Sequence, residues 1–259
     1  VSRIERMPNL KLVRAKDSMI YTFPGLSNLA PFDNVDGRLA LKYAIDRQQI
    51  IDTVLGGYAS VANDNPIFPS NRYFAKDIPQ RPYDPEKAQF HWKKSGFSGP
   101  LTLNVADAGF PGAVDAGQLY QQSAAKAGIN LNVVRVPDDA FWNDIWQKKA
   151  FVSSNWANRP TADALLSLVF TSQSSWNESA WHVPAFDAMV KAARGEADEA
   201  RRKQIYHDIQ VMLVDQGSEI IPLYADALDG CSAKIKGFTS VPGMPLSGNR
   251  AAEKVWIEG

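Results

Sequence analysis

The sequence predicts an α/β fold in which a mixed sheet is flanked by helices, and three observations carry that reading. Helical and strand periodicities alternate from one end of the chain to the other. Residues 101–135 read strand, helix, strand, the pattern of a crossover between neighbouring strands. The 259 residues are 45% hydrophobic and 22% charged, enough apolar material for a full core and too much for wholesale disorder.

In chain order, Leu10 to Val13 and Met19 to Phe23 read as short strands, followed by a loop over Pro24-Gly25-Leu26-Ser27-Asn28. A helix starts near Val35 and carries Leu39, Tyr43 and Asp46. A second helix, with Ile50, Ile51, Val54 and Leu55, stops at Gly56-Gly57. The stretch from Tyr58 to Pro82 lacks periodicity and reads as a long loop. Asp84-Pro85 is a strong helix start, an N-cap followed by proline at the first helical position, and Gly96 closes that helix. Leu101, Leu103 and Val105 alternate as a strand. Val114 to Lys126 is a helix ended by Gly128, and Ile129, Leu131, Val133 and Arg135 form the next strand. Phe151 to Asn155 reads as a strand and a helix begins near Thr161. Phe186, Met189, Val190 and Ala193, then Ile205, Ile209, Met212 and Leu213, mark two amphipathic helices. Ile220 to Tyr224 leads out as a strand.

Charge and motif content exclude several classes of function. Lys+Arg and Asp+Glu are 28 each, so the chain lacks the basic surface that nucleic-acid binding needs. Cys231 is the only cysteine, and His91, His182 and His207 are scattered, so no tetrahedral metal set is expected and no cofactor is implied. The glycine-rich and nucleophile-elbow signatures of dinucleotide enzymes, NTPases and hydrolases are missing. His182 and Asp187 lack a recognisable nucleophile to complete a triad. Asn177-Glu178-Ser179 matches a glycosylation sequon, a tripeptide common by chance.

Two polar segments rich in tryptophan are more informative. One runs from Trp156 through Asn158, Arg159 and Pro160 to Asp163, between a strand and a helix. The other holds Trp176, Asn177 and Trp181, just before the helix of Phe186. A strand-to-helix loop in an α/β domain sits where ligands bind, and an indole can stack on sugars, peptide planes or cations. The alternative is that these tryptophans fill the core beneath two loops.

Several segments resemble the extracellular solute-binding proteins, family 5, the dipeptide-, oligopeptide- and nickel-binding components of ABC importers. Leu39-Ala40-Leu41-Lys42-Tyr43-Ala44-Ile45-Asp46-Arg47-Gln48-Gln49-Ile50-Ile51, with its lead-in Pro31-Phe32-Asp33-Asn34-Val35, is similar to a helix pair of that family. Pro82-Tyr83-Asp84-Pro85-Glu86-Lys87-Ala88 resembles one of its helix starts. The Trp156 segment, Pro184-Ala185-Phe186-Asp187 and Ile221-Pro222-Leu223-Tyr224 follow in the family's order.

The resemblance implies the C-terminal lobe of a two-lobed, periplasmic-binding-protein-like fold, in a chain covering the later part of the family's length. Residues 26–222 would be the second lobe. Residues 1–25 and 223–259 would be crossovers to a missing N-terminal lobe, and strands 18–23 and 220–225 are expected to pair with each other or with a neighbouring molecule. The implied function is capture of a small peptide-like, opine-like or sugar-like solute in an interlobe cleft and its delivery to a membrane permease. A hydrolase or a ligand-sensing receptor domain is the alternative. The implied location is the periplasm, or alternatively the cell surface as a lipoprotein. The residues expected at the ligand are Trp156, Asn158, Arg159, Asp163, Trp176, Asn177 and Trp181.

One departure bears on specificity. Peptide-binding members place an aspartate three residues after the tryptophan, where this chain has Arg159. A guanidinium there repels an ammonium group and favours an anionic or polyhydroxyl solute. Pairing of Arg159 with Asp163 across the first helical turn is the competing expectation.

Overall fold

The computed structural model describes residues 2–258. After a short helix α1 (Ser2–Glu5), the strand β1 (Leu10–Pro24) runs through the centre of the molecule. It joins what the sequence presents as two strands, because the polar stretch 14–18 hides a bulge. The register with β6 (Glu219–Ser232) slips between Ala15 and Met19, where Asp17 has a φ of 58°. Beyond the bulge Met19, Ile20 and Tyr21 face Ala225, Tyr224 and Leu223, the expected pairing of the two end strands.

Helices α2 (Val35–Ala44) and α3 (Arg47–Val54) follow, with Asn34 and Asp46 as N-caps. Asp46 therefore opens the second helix instead of extending the first. The Tyr58–Pro82 stretch contains one short strand, β2 (Ala59–Val61), on the outer side of β6. Helix α4 (Pro85–Ser95) has the expected Asp84 cap, whose carboxylate accepts from the Lys87 amide at 2.9 Å. β3 (Leu101–Val105) and β4 (Leu131–Arg135) are parallel and joined by α5 (Ala113–Ala125). β5 (Ser154–Ala157) pairs antiparallel with β1, and the residues before it bridge to β3 through Asn104 and Val152. The central order is β2-β6-β1-β5, extended by β3 and β4 to make the sheet mixed.

Helices α6 (Ala162–Val169), α7 (Pro184–Gly195) and α8 (Glu199–Gln216) complete the body. Small elements follow β6: β7 (Ile235–Lys236), α9 (Pro245–Asn249), α10 (Ala251–Lys254) and β8 (Trp256–Ile257). Alternation along β1 divides the core between the two sheet faces. Tyr21 and Phe23 pack with α2, α3, α4 and α5 on one face. Ile20 packs with Trp156, α6, α7 and α8 on the other. Lys42 is buried whole beneath the end of α8, where its ammonium donates to the Leu213 and Val214 carbonyls at 3.0 and 2.9 Å. Those carbonyls lie near the end of the helix, where the Gly217 amide also donates to Leu213 and the Arg81 guanidinium to Val214.

Candidate functional site

The chain between β5 and α6 is held at the β1 bulge. The Asn158 amide donates to the Ser18 carbonyl and its side-chain amide to the Asp17 carbonyl, both at 2.9 Å. The Ser70 amide donates to the Asp17 carboxylate at 3.1 Å, and the Gly243 amide to the Lys16 carbonyl at 2.6 Å. Gly243 has a φ of 76°, and a Cβ there would lie 2.4 Å from the Asn158 side-chain nitrogen Nδ2, so the position favours glycine. Three distant segments thus converge on one pocket of about 570 Å³, lined by residues 70–72, 158–160 and 242–244.

Arg159 lines this pocket half-buried, with its Nε buried and lacking an acceptor. Among the described residues no carboxylate pairs with it. The expected Arg159–Asp163 pair is not formed. Thr161 caps α6, which sets Asp163 in the first turn beside α7, and its carboxylate takes Arg194 at 3.1 Å and the Ser167 hydroxyl at 3.1 Å. Asp163 is therefore tied to another helix. The second cation of the pocket, Arg72, pairs with Glu199 at 2.5 Å and lies over the Tyr73 ring.

The tryptophans divide by role. Trp156 lies within β5, not in a loop, and is buried on the α6–α8 side of the sheet. Trp176 is 46% exposed and packs on Trp156 with ring centres 5.7 Å apart. Trp181 is buried against Phe186, and the Asn177 amide braces its own segment through the Phe170, Thr171 and Trp181 carbonyls. Asn177 and Trp181 do not line the Arg159 pocket. Trp142 and Trp146, which the sequence did not single out, extend the aromatic row. Trp146 lies 6.4 Å from Trp156, and Trp142, 45% exposed, lies 5.7 Å from Trp146.

Beneath this row sits Glu178. Its carboxylate accepts from the Trp156 indole N–H at 2.8 Å, the Ser154 hydroxyl at 2.6 Å and the Trp146 indole N–H. Burial pushes its carboxyl up to about 7 against the pull of those donors. Glu219 lies nearby and is held well above the usual carboxylate range, first by burial and then by the Glu178 charge. Nothing in the sequence pattern marked either residue. The histidines stay apart: His91 meets Asp36 at 2.7 Å, His207 meets Asp77 at 3.2 Å, and His182 is exposed. Asp187 instead accepts the Ser172 amide at 2.9 Å. No group of three His, Cys, Asp or Glu suited to a metal occurs among the described residues.

The profile of the bacterial extracellular solute-binding proteins, family 5, matches residues 1–177, and the chain belongs to that family. Haemophilus influenzae heme-binding protein A is 26% identical over 93% of this chain and 46% of its own length. The dipeptide-binding protein of Escherichia coli is 25% identical over 82% of this chain and 41% of its own. The chain spans about half the length of the curated relatives it matches. Among solved structures, an ABC transporter substrate-binding protein of Listeria monocytogenes superposes with a TM-score of 0.87 at 22% identity, over 99% of this chain and 54% of that one. A periplasmic binding protein of Helicobacter pylori in complex with the peptide STSA gives a TM-score of 0.84 at 20% identity, over 100% of this chain and 51% of that one. The fold class is therefore the expected periplasmic-binding-protein-like α/β fold.

Proposed function

We propose that this chain is the second lobe of the solute receptor of an ABC importer, acting outside the cytoplasm and passing its solute to a membrane permease. In this reading residues 26–222 form the lobe, and residues 1–25 and 223–259 are crossovers to an N-terminal lobe that closes the cleft. The bulge at 15–19 shifts that division: Met19–Thr22 pair with β5 and Leu223–Ala225 with β2, so these residues stay in the lobe's sheet, and only residues 10–15 and 227–232 pair with each other alone, as crossovers would. The solute is a small peptide-like molecule carrying a carboxylate or another anionic group. Arg159 carries the proposal: a guanidinium facing a pocket, with a buried Nε lacking an acceptor and, among the described residues, no carboxylate neutralising it. The names of relatives that bind dipeptides and glutathione agree with a peptide-like solute.

A charge-assisted contact of this kind contributes ~1.5–3 kcal/mol. In the protein with both lobes, calorimetric titration with a panel of dipeptides, glutathione and a nickel–histidine chelate tests the reading. The best binder should carry a free carboxylate, and Arg159→Ala should weaken it about tenfold to a hundredfold with little change in melting temperature. Unchanged affinity with reduced stability would make Arg159 structural.

A further inference from the structure

The two buried glutamates are set side by side by strand register. Thr22 in β1 stands opposite Ser154 in β5, so their side chains share a face of the sheet and are near neighbours. The Ser154 hydroxyl reaches Glu178 at 2.6 Å, and the Thr22 hydroxyl reaches Glu219 at 3.2 Å. Both carboxyl groups are removed from water, at 2% and 3% exposure, so two negative charges there are costly.

Their donor supply is unequal. Glu178 has donors on both oxygens: the Trp156 indole on one, the Trp146 indole and Ser154 hydroxyl on the other. Glu219 has the Thr22 hydroxyl on one oxygen and, among the described residues, no donor on the other. An ionised carboxylate only accepts and needs donors, whereas a neutral acid is cheaper to leave underserved.

We propose that Glu178 and Glu219 hold one proton and one negative charge between them, with the proton on Glu219 and the charge on Glu178. That charge anchors the Trp146 and Trp156 indoles, and Glu178 is thereby the positioning residue for the tryptophan face that ends in exposed Trp176. Adding one proton to the Glu178 carboxylate gives a neutral acid, and both indoles lose their ionic acceptor. Among the described residues the other charged group acting on the pair is Lys42 from α2, which acts on Glu219. From β1, β5 and the segment before β5 the pair meets neutral groups, the Thr22 and Ser154 hydroxyls and the two indoles. Any effect on solute capture rests on the function proposed above. The proton arrangement does not, and it is tested without solute.

The experiment is a pH titration of the indole N–H resonances of this chain by NMR. The Trp146 and Trp156 signals should shift together with one midpoint near 7. Glu178→Gln should abolish that shift, and Glu219→Gln should retain it. A shift lost in Glu219→Gln but kept in Glu178→Gln, or no shared shift in the wild type, overturns the proposal. Should Glu178→Gln fail to fold, infrared difference spectroscopy decides between wild type and Glu219→Gln. At roughly pH 8, above the midpoint and far above ordinary carboxyl values, the wild type should show the carbonyl stretch of a neutral carboxylic acid and Glu219→Gln should lack it. Absence of that band from the wild type overturns the assignment.

Discussion

Asp64 and Glu178 are both buried carboxyl groups, and they behave in opposite ways. Burial pushes Asp64 up, but Arg47, Lys42 and Arg81 outweigh it and hold its carboxyl below the ordinary value. Its oxygens meet Arg47 at 2.8 Å, Arg81 at 2.9 Å and the Ile221 amide at 3.0 Å. Glu178 has only neutral donors and a second carboxyl beside it, and it rises to about 7. Burial alone therefore does not set the charge state. The sign of the neighbours does, and it separates a permanent ion from a titratable one.

That contrast can be broken in stages. Asp64→Asn should be the most damaging change, because it strands the buried Arg47 guanidinium and leaves buried Arg81 with only Asp215 as a carboxylate partner. A loss of about 3–5 kcal/mol in urea denaturation is expected, and a loss under about 1 kcal/mol would show that Arg47 and Arg81 find other partners.

The next effect appears as a pH slope. The folded-state pKa of Glu178 lies above its ordinary 4.5, so between 4.5 and about 7 the folded chain holds a proton that the unfolded chain releases. Its contribution is intact below 4.5 and is lost as pH rises through 7, by roughly 3 kcal/mol. Glu178→Gln should flatten the stability profile over that window. An unchanged slope would assign the pH dependence elsewhere.

Lys42 sharpens the comparison from the opposite side. Burial lowers it from 10.5 to about 7, so between those values the unfolded chain holds the extra proton and stability should rise with pH. Lys42→Met should remove that alkaline rise, as read from denaturation midpoints taken across the window. A rise that persists would leave the ammonium charged throughout.

The smallest change is expected at Trp176. Its ring is nearly half exposed, so Trp176→Ala should alter stability by only about 0.5 kcal/mol while dimming the fluorescence of the tryptophan row. A loss several times larger would place Trp176 in the core.

Much of the architecture was legible because its signals are local. Asp84-Pro85, Thr161 and the periodic residues of α7 and α8 set their helices through caps and faces that neighbouring residues supply. Reading failed where tertiary contacts override a local pattern. Residues 14–18 are too polar to announce a strand, yet pairing with β6 carries β1 through them as a bulge. In sequence Trp156 opens the polar segment after the strand 151–155, but pairing with Ile20 keeps it in β5.

For the site, the sequence by itself determined that a guanidinium, and not a carboxylate, follows the tryptophan by three residues, and that no nucleophile or metal motif accompanies it. Only the tertiary structure decided what Arg159 and Glu178 face. Asp163 is drawn to Arg194 because α6 and α7 pack together, leaving Arg159 without the partner that sequence proximity offered. Glu178 reads as one acid in a polar run, while the indoles and hydroxyl that hold it come from 22 to 32 residues away. A charge state is a property of neighbours in space, and the chain order does not contain them until the sheet has set its register.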